Sequence, residues 1–129
     1  MPIGPAIISI KNLRLRTYIG FNPEEMKKQQ DVVINAEMHY DAKAAMDSDN
    51  VARAVNYKNI SKAIIQHVES NRFLLLEKLV NDVLNICCEA DAIDYAMVTI
   101  DKPHALRFAD SVSLSLSYKK PENGAYDVA

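Results

Sequence analysis

Residues 111–118 read Ser-Val-Ser-Leu-Ser-Leu-Ser-Tyr. Strict alternation of this kind marks a β-strand, because successive side chains point to opposite faces of a sheet. Val112, Leu114, Leu116 and Tyr118 share one face, and Ser111, Ser113, Ser115 and Ser117 share the other. The apolar face calls for a core. The serine face is too polar for a second core and lacks the charge of an ordinary solvent face. It suits plain solvation, or a sheet that lines a wet channel or meets another subunit.

Working outward, residues 95–101 alternate again, with Tyr95, Met97 and Thr99 against Ala96, Val98 and Ile100. Residues 31–40 set Val32, Ile34, Ala36, Met38 and Tyr40 against a mostly polar opposite face, the pattern of a half-buried antiparallel strand. Residues 6–19 form a further strand with a slip in phase. Ile8 and Ile10 hold even positions, whereas Leu13, Leu15 and Ile19 hold odd ones, which predicts a bulge near Asn12. Two amphipathic helices lie between these strands. Ile60, Ala63, Ile64, His67 and Val68 follow helical spacing after a capping Asn56, and Ser70-Asn71 ends the run. Leu76, Leu79, Val80, Val83, Leu84 and Cys87 repeat the spacing. Residues 21–28 read as an exposed loop, and 41–56 as a loop with a short helical turn. The order strand, strand, helix, helix, strand, strand predicts an α+β domain. Its expected form is a four-stranded antiparallel sheet with two helices on one face.

The chain has 129 residues, a size that predicts one domain, with a core over about 6–118 and a fraying tail over 119–129. Lys plus Arg number 15 and Asp plus Glu 17, so a globally basic nucleic-acid binder is not expected. Only three glycines occur, Gly4, Gly20 and Gly124, too few for a glycine-rich phosphate cradle. The two cysteines, Cys87 and Cys88, are adjacent and suit reduced thiols in a cytoplasmic setting. The N-terminal residues lack the pattern of a signal peptide. No apolar run approaches the ~20 residues of a membrane span, so no membrane partner is expected.

Chemistry-bearing residues are sparse. His39, His67 and His104 are far apart and lack metal-ligand spacing, so no metal is expected. His67 lies on an apolar helix face, as a half-buried structural histidine would. Cys87 and Cys88 sit late in an apolar helix, where inert thiols are expected. Taken alone, Glu25 and Lys102 read as surface charges. Glu77 interrupts Phe73-Leu74-Leu75-Leu76, and its neighbours Leu76 and Leu79 point to burial, which would require a partner.

Four short motifs, in order, resemble the dihydroneopterin aldolase/epimerase family: Lys11-Asn12-Leu13-Arg14-Leu15-Arg16-Thr17-Tyr18-Ile19-Gly20, Asn56-Tyr57, Leu75-Leu76-Glu77-Lys78-Leu79 and Ile100-Asp101-Lys102-Pro103. The resemblance spans about residues 6–118. Within the family, Leu13-Arg14-Leu15-Arg16-Thr17, Ile64-Ile65-Gln66-His67-Val68-Glu69 and the segment His104 to Ser113 look most like the epimerase branch. Aldolases of the family usually carry a glycine where His104 stands.

The resemblance implies the tunnelling fold, in which sheets of several subunits join into a ring barrel. Two stacked tetramer rings would make a homo-octamer, with the serine face as channel lining. It implies a pterin substrate and no cofactor. Glu77 is then the anchor for the amino-pyrimidine edge, with Leu76 beside it. Lys102 is the catalytic lysine, Glu25 the loop glutamate next to it, and Tyr57 a tyrosine offered from a neighbouring subunit. The implied reaction inverts the 2′ carbon of dihydroneopterin triphosphate. The alternatives are aldolase cleavage of dihydroneopterin, releasing glycolaldehyde, and pterin binding without turnover. A triphosphate needs cations, for which Arg14, Arg16, Lys62, Arg72, His104 and Arg107 are candidates, Arg107 and His104 being nearest in sequence to Lys102.

Overall fold

A computed structural model describes residues 3–121. Strand β1 (Ala6–Ile19) pairs antiparallel with β2 (Gln30–Tyr40). Between them lies a short helix, α1 (Pro23–Lys27), where a plain loop was expected. Asn22 starts it: its side chain accepts a hydrogen bond from the Glu25 backbone N–H at 2.9 Å, and Pro23 occupies the first helical position. After β2 come α2 (Lys43–Ser48) and a single 3-10 turn at Val51–Arg53. Helix α3 (Tyr57–Ser70) opens on Asn56, which caps it through the Asn59 N–H at 3.1 Å, as the sequence predicts.

The two-residue strand β3 (Arg72–Phe73) runs parallel to the end of β1. It makes the sheet five-stranded, not four-stranded. Two residues carry no periodicity to read, and their pairing depends on α3 delivering them to β1. Helix α4 (Leu76–Cys88) follows, then β4 (Ile93–Lys102) and β5 (Val112–Lys119). The sheet order is β3-β1-β2-β4-β5, antiparallel apart from the β1–β3 pair.

The predicted bulge is present. Pairing of β1 with β2 shifts between Ile10 and Leu13, and Asn12 takes φ 53°. Its backbone N–H donates to Asn35 Oδ1 at 2.9 Å, so asparagine chemistry on both strands accommodates the extra residue. Past the shift, Leu15, Thr17 and Ile19 turn inward and are buried.

Helix α3 packs on β1, and α4 packs on β4 and β5, so both cover one face of the sheet. The core joins Val32, Ile34, Ala36 and Met38 of β2 to Ala96, Val98 and Ile100 of β4 beneath Ile64, Val68, Leu79, Val80, Val83 and Leu84 of the helices. Leu114 and Leu116 of the edge strand β5 are half-buried against this core, while Ser113, Ser115 and Ser117 are exposed, as is Tyr118 at the strand's end, which was expected on the apolar face. The strand extends one residue into the expected tail. Lys119 belongs to β5, and the Lys120 N–H donates to Asp94 O at 2.8 Å. The rest of the tail, from 122, lies outside the described residues, as do Met1 and Pro2.

Candidate active site

Three segments distant in sequence meet at one end of the sheet. Gly20 and Phe21 leave β1, Lys102 ends β4, and Leu76 and Glu77 open α4. With Glu25 they line a cavity of about 290 Å³. The edge-strand residues Val112, Ser113 and Leu114 complete its wall.

Lys102 is carried on the core-facing side of β4, two residues beyond buried Ile100. Its Nζ donates to Glu25 Oε2 at 2.7 Å. The side chains are only 13% and 21% exposed, so neither is the free surface charge that its local sequence suggests. The polar string around Glu25 hides that α1 folds back on the sheet. The Lys102 hydrogen bond is the main reason the Glu25 carboxyl sits below its ordinary value. Burial opposes that shift, and a hydrogen bond from Gln30 Nε2 at 3.3 Å adds to it. The same amide of Gln30 donates to Ile19 O.

Gly20 makes this approach possible. It takes φ +122°, a region that favours glycine, and a Cβ there would run into the Glu25 carboxyl group. Its N–H donates to Phe73 O at 2.9 Å, tying the strand end to β3. Neither Gly20 nor Gln30 stands out as a site residue in the sequence. The one available signal was that Gly20 is the only glycine away from the chain ends.

Glu77 is exposed, contrary to the expected burial. Helical spacing explains this: Leu76, Leu79 and Val80 lie on the inward face, and Glu77 is rotated about 100° from Leu76. A carboxylate in the first turn is favoured by the helix dipole without any side-chain partner. Leu76 is half-buried beside it.

The remaining expected site residues are elsewhere. Tyr57 is 54% exposed at the start of α3 and does not line this cavity. Arg107 is exposed, with its guanidinium 5.3 Å from the Phe108 ring centroid, and does not line it either. His104 borders a separate concavity of about 560 Å³ together with Arg14 and Arg16. Arg16 there is already paired with Asp31 at 2.7 Å. Among the described residues, Lys102 is the only cation on the wall of the Glu25 cavity.

Histidine and cysteine have structural settings. His67 Nε2 lies 2.7 Å from Asp82 Oδ2 and joins α3 to α4. Burial alone would raise the Asp82 carboxyl, but hydrogen bonds from Lys78 and His67 outweigh it and hold the group below its usual value. Burial pushes the Cys87 thiol up to about 12 and raises Cys88, which makes both poor nucleophiles. No cluster of three potential metal ligands occurs among the described residues. No helix there is long and apolar enough to cross a membrane.

The geometry defines a class: a small α+β chain whose lysine–carboxylate pair borders a cavity where a mostly antiparallel sheet meets a helix N-terminus. The chain belongs to the dihydroneopterin aldolase family, whose model matches residues 8–117. It is 56% identical to the dihydroneopterin triphosphate 2′-epimerase of Escherichia coli strain K12 over 89% of this chain and 96% of that protein. Against the enzyme of that name from Pseudomonas aeruginosa it is 50% identical, over 88% and 93%. Among solved structures, E. coli dihydroneopterin aldolase in complex with neopterin superposes with a TM-score of 0.82 at 28% identity, covering 88% of this chain and 98% of that one.

Proposed function

We propose that this protein is an epimerase that inverts the 2′ carbon of dihydroneopterin triphosphate, giving dihydromonapterin triphosphate. Identity of 56% to an epimerase, against 28% to an aldolase of known structure, supports that choice within the family. The observation that carries it is the Lys102–Glu25 pair at 2.7 Å, bordering the cavity that Glu77 also lines.

The roles follow from the substrate's electronics. Glu77, exposed at the head of α4, accepts two hydrogen bonds from the amino-pyrimidine edge, a bidentate charge-assisted pair, and Leu76 packs beside the ring. Lys102 delivers a proton, through water, to the ring nitrogen of the C=N bond next to the side chain. Tyr57 of a neighbouring copy takes the proton from the second side-chain hydroxyl. The bond between the first and second side-chain carbons breaks, its electron pair passes into the protonated C=N, and the second carbon becomes an aldehyde. The bound aldehyde rotates, and the pair returns to its opposite face. The two protons go back, leaving one inverted centre and no net redox change. Glu25 orients Lys102 and the water. The ring itself is the electron sink, so the step draws on no cofactor.

An aldolase reading shares every step up to the aldehyde and ends by protonating the first side-chain carbon instead. The likeness to an aldolase that binds neopterin is what favours it. A pterin-binding protein without turnover is a weaker reading, since it leaves the Lys102–Glu25 pair unused.

We further propose that the protein works in the cytoplasm as a homo-octamer of two stacked tetramer rings, with the site between copies. Tyr57 is exposed and absent from its own subunit's cavity, and Phe21 and Leu75 on the wall of that cavity are 69% and 50% exposed. A second copy would cover the apolar wall and supply the tyrosine. Arg107 and His104, both exposed just beyond Lys102, are the proposed triphosphate contacts.

Incubation with dihydroneopterin and with its triphosphate tests the reading, using chiral chromatography and a glycolaldehyde assay. The expected result is the 2′ epimer from the triphosphate. Faster cleavage of the unphosphorylated compound would assign the aldolase, and no reaction with either would leave only binding. Lys102→Ala should lower turnover at least ~100-fold while pterin still binds. Glu77→Ala should lose binding, and normal binding by that variant would remove Glu77 as the anchor.

A further inference from the structure

Helix α1, which carries Glu25, has five residues and none of them is buried. Isolated helices shorter than about 12 residues are marginal in water, so α1 needs outside contacts to hold its place. At its start Asn22 supplies the cap. At its end the Met26 carbonyl, one of the last orphan acceptors, receives Arg72 Nη1 at 3.1 Å. Arg72 is itself well fixed. It sits opposite Tyr18 in the β1–β3 register, and its guanidinium lies 3.7 Å above the centroid of the Tyr18 ring. Its neighbour Phe73 accepts the Gly20 N–H, and Gly20 is the surface on which the Glu25 carboxyl rests.

We propose that Arg72 is a positioning residue: it clamps the end of α1 and so holds Glu25 against Lys102. The guanidinium suits this task because it stacks flat on tyrosine and still donates in its own plane. Its two observed partners are a ring and a carbonyl, which assigns it to holding α1 and not to gripping phosphate. The catalytic part of the proposal rests on the roles proposed above for Lys102 and Glu25.

The test is a double-mutant cycle of Arg72→Ala and Glu25→Gln, with hydrogen exchange on the same proteins. Arg72→Ala is expected to lower kcat for epimerisation about tenfold with KM changed less than twofold. In the Glu25→Gln background it should cost less than a further twofold, because the group it positions is already disabled. Arg72→Lys should recover part of kcat, since an ammonium still donates to the Met26 carbonyl. Additive losses in the cycle would overturn the proposal. So would a raised KM at unchanged kcat, which would make Arg72 a substrate contact. Exchange needs no turnover: amides of residues 21–28 should exchange faster in Arg72→Ala, with α4 and β4 unchanged. Unaltered exchange there would also overturn it. A wild-type protein inactive on the triphosphate would count against the proposed function alone, leaving the exchange result to judge the clamp. If Arg72→Ala does not fold, Tyr18→Leu removes the ring beneath the guanidinium and should shift exchange in the same segment, and no shift would refute the clamp.

Discussion

At Gly20 a single hydrogen stands where any other residue would place a carbon against the Glu25 carboxyl group. Gly20→Ala combines that collision with a strained φ of +122°. It should cost about 1–3 kcal/mol in urea unfolding and lower kcat by displacing Glu25. Titration gives a second prediction at this scale. Lys102 holds the Glu25 carboxyl below its ordinary 4.5, so the folded state keeps it ionised where the unfolded chain begins to bind a proton. The stabilising contribution is complete above the ordinary value and is lost as pH falls through the lower folded one. Carbon-13 resonances of the Glu25 carboxyl should therefore titrate below 4.5, and Lys102→Met should move the midpoint upward. A midpoint unchanged by that substitution would mean that the ion pair does not form in solution. Leu76, Glu77 and Lys102 were legible within short motifs, and Glu25 only through the family resemblance. Their states of burial were not. Glu77 looked buried among leucines and is exposed, and Glu25 looked exposed and is paired, because burial depends on which segments pack across a residue.

At the scale of elements, strands and helices followed local periodicity closely. The even-to-odd slip located the Asn12 bulge, since one extra residue must reverse the facing of everything beyond it. The failures were elements too short for a period: α1, with five residues, and β3, with two. Thr17 shows how β1 is joined to α3. It is fully buried, and its hydroxyl lies 2.7 Å from Val68 O and 3.2 Å from Asn71 O at the end of that helix. Thr17→Val keeps the shape and removes the donor, leaving a buried carbonyl unsatisfied. It should destabilise by about 1–3 kcal/mol in urea unfolding while β1 pairing survives. A cost under about 0.5 kcal/mol would show that the carbonyls find other partners.

At the scale of the whole molecule, the sheet order β3-β1-β2-β4-β5 brings the end of β1 near the end of β4, with β2 between them, and α4 starts over the gap. The cavity there, of about 290 Å³, is walled in part by exposed apolar side chains, Phe21, Leu74 and Leu75. If a second copy closes it, activity must follow assembly. Light scattering paired with activity assays at decreasing protein concentration should show turnover per chain falling as oligomers dissociate, and a fully active monomer would contradict a shared site.

By itself, the sequence determined the α+β class, the long strands, both long helices with the cap at Asn56, and the bulge. Each is written in contacts a few residues apart, where periodicity and capping chemistry act. The family resemblance set Glu25 beside Lys102, but only the tertiary structure decided the direct 2.7 Å contact across 77 positions, that Gly20 is the surface beneath that carboxyl, and that Arg72 reaches the end of the helix carrying it. Those contacts depend on strand order and on the parallel docking of β3, and no local pattern in the chain encodes either.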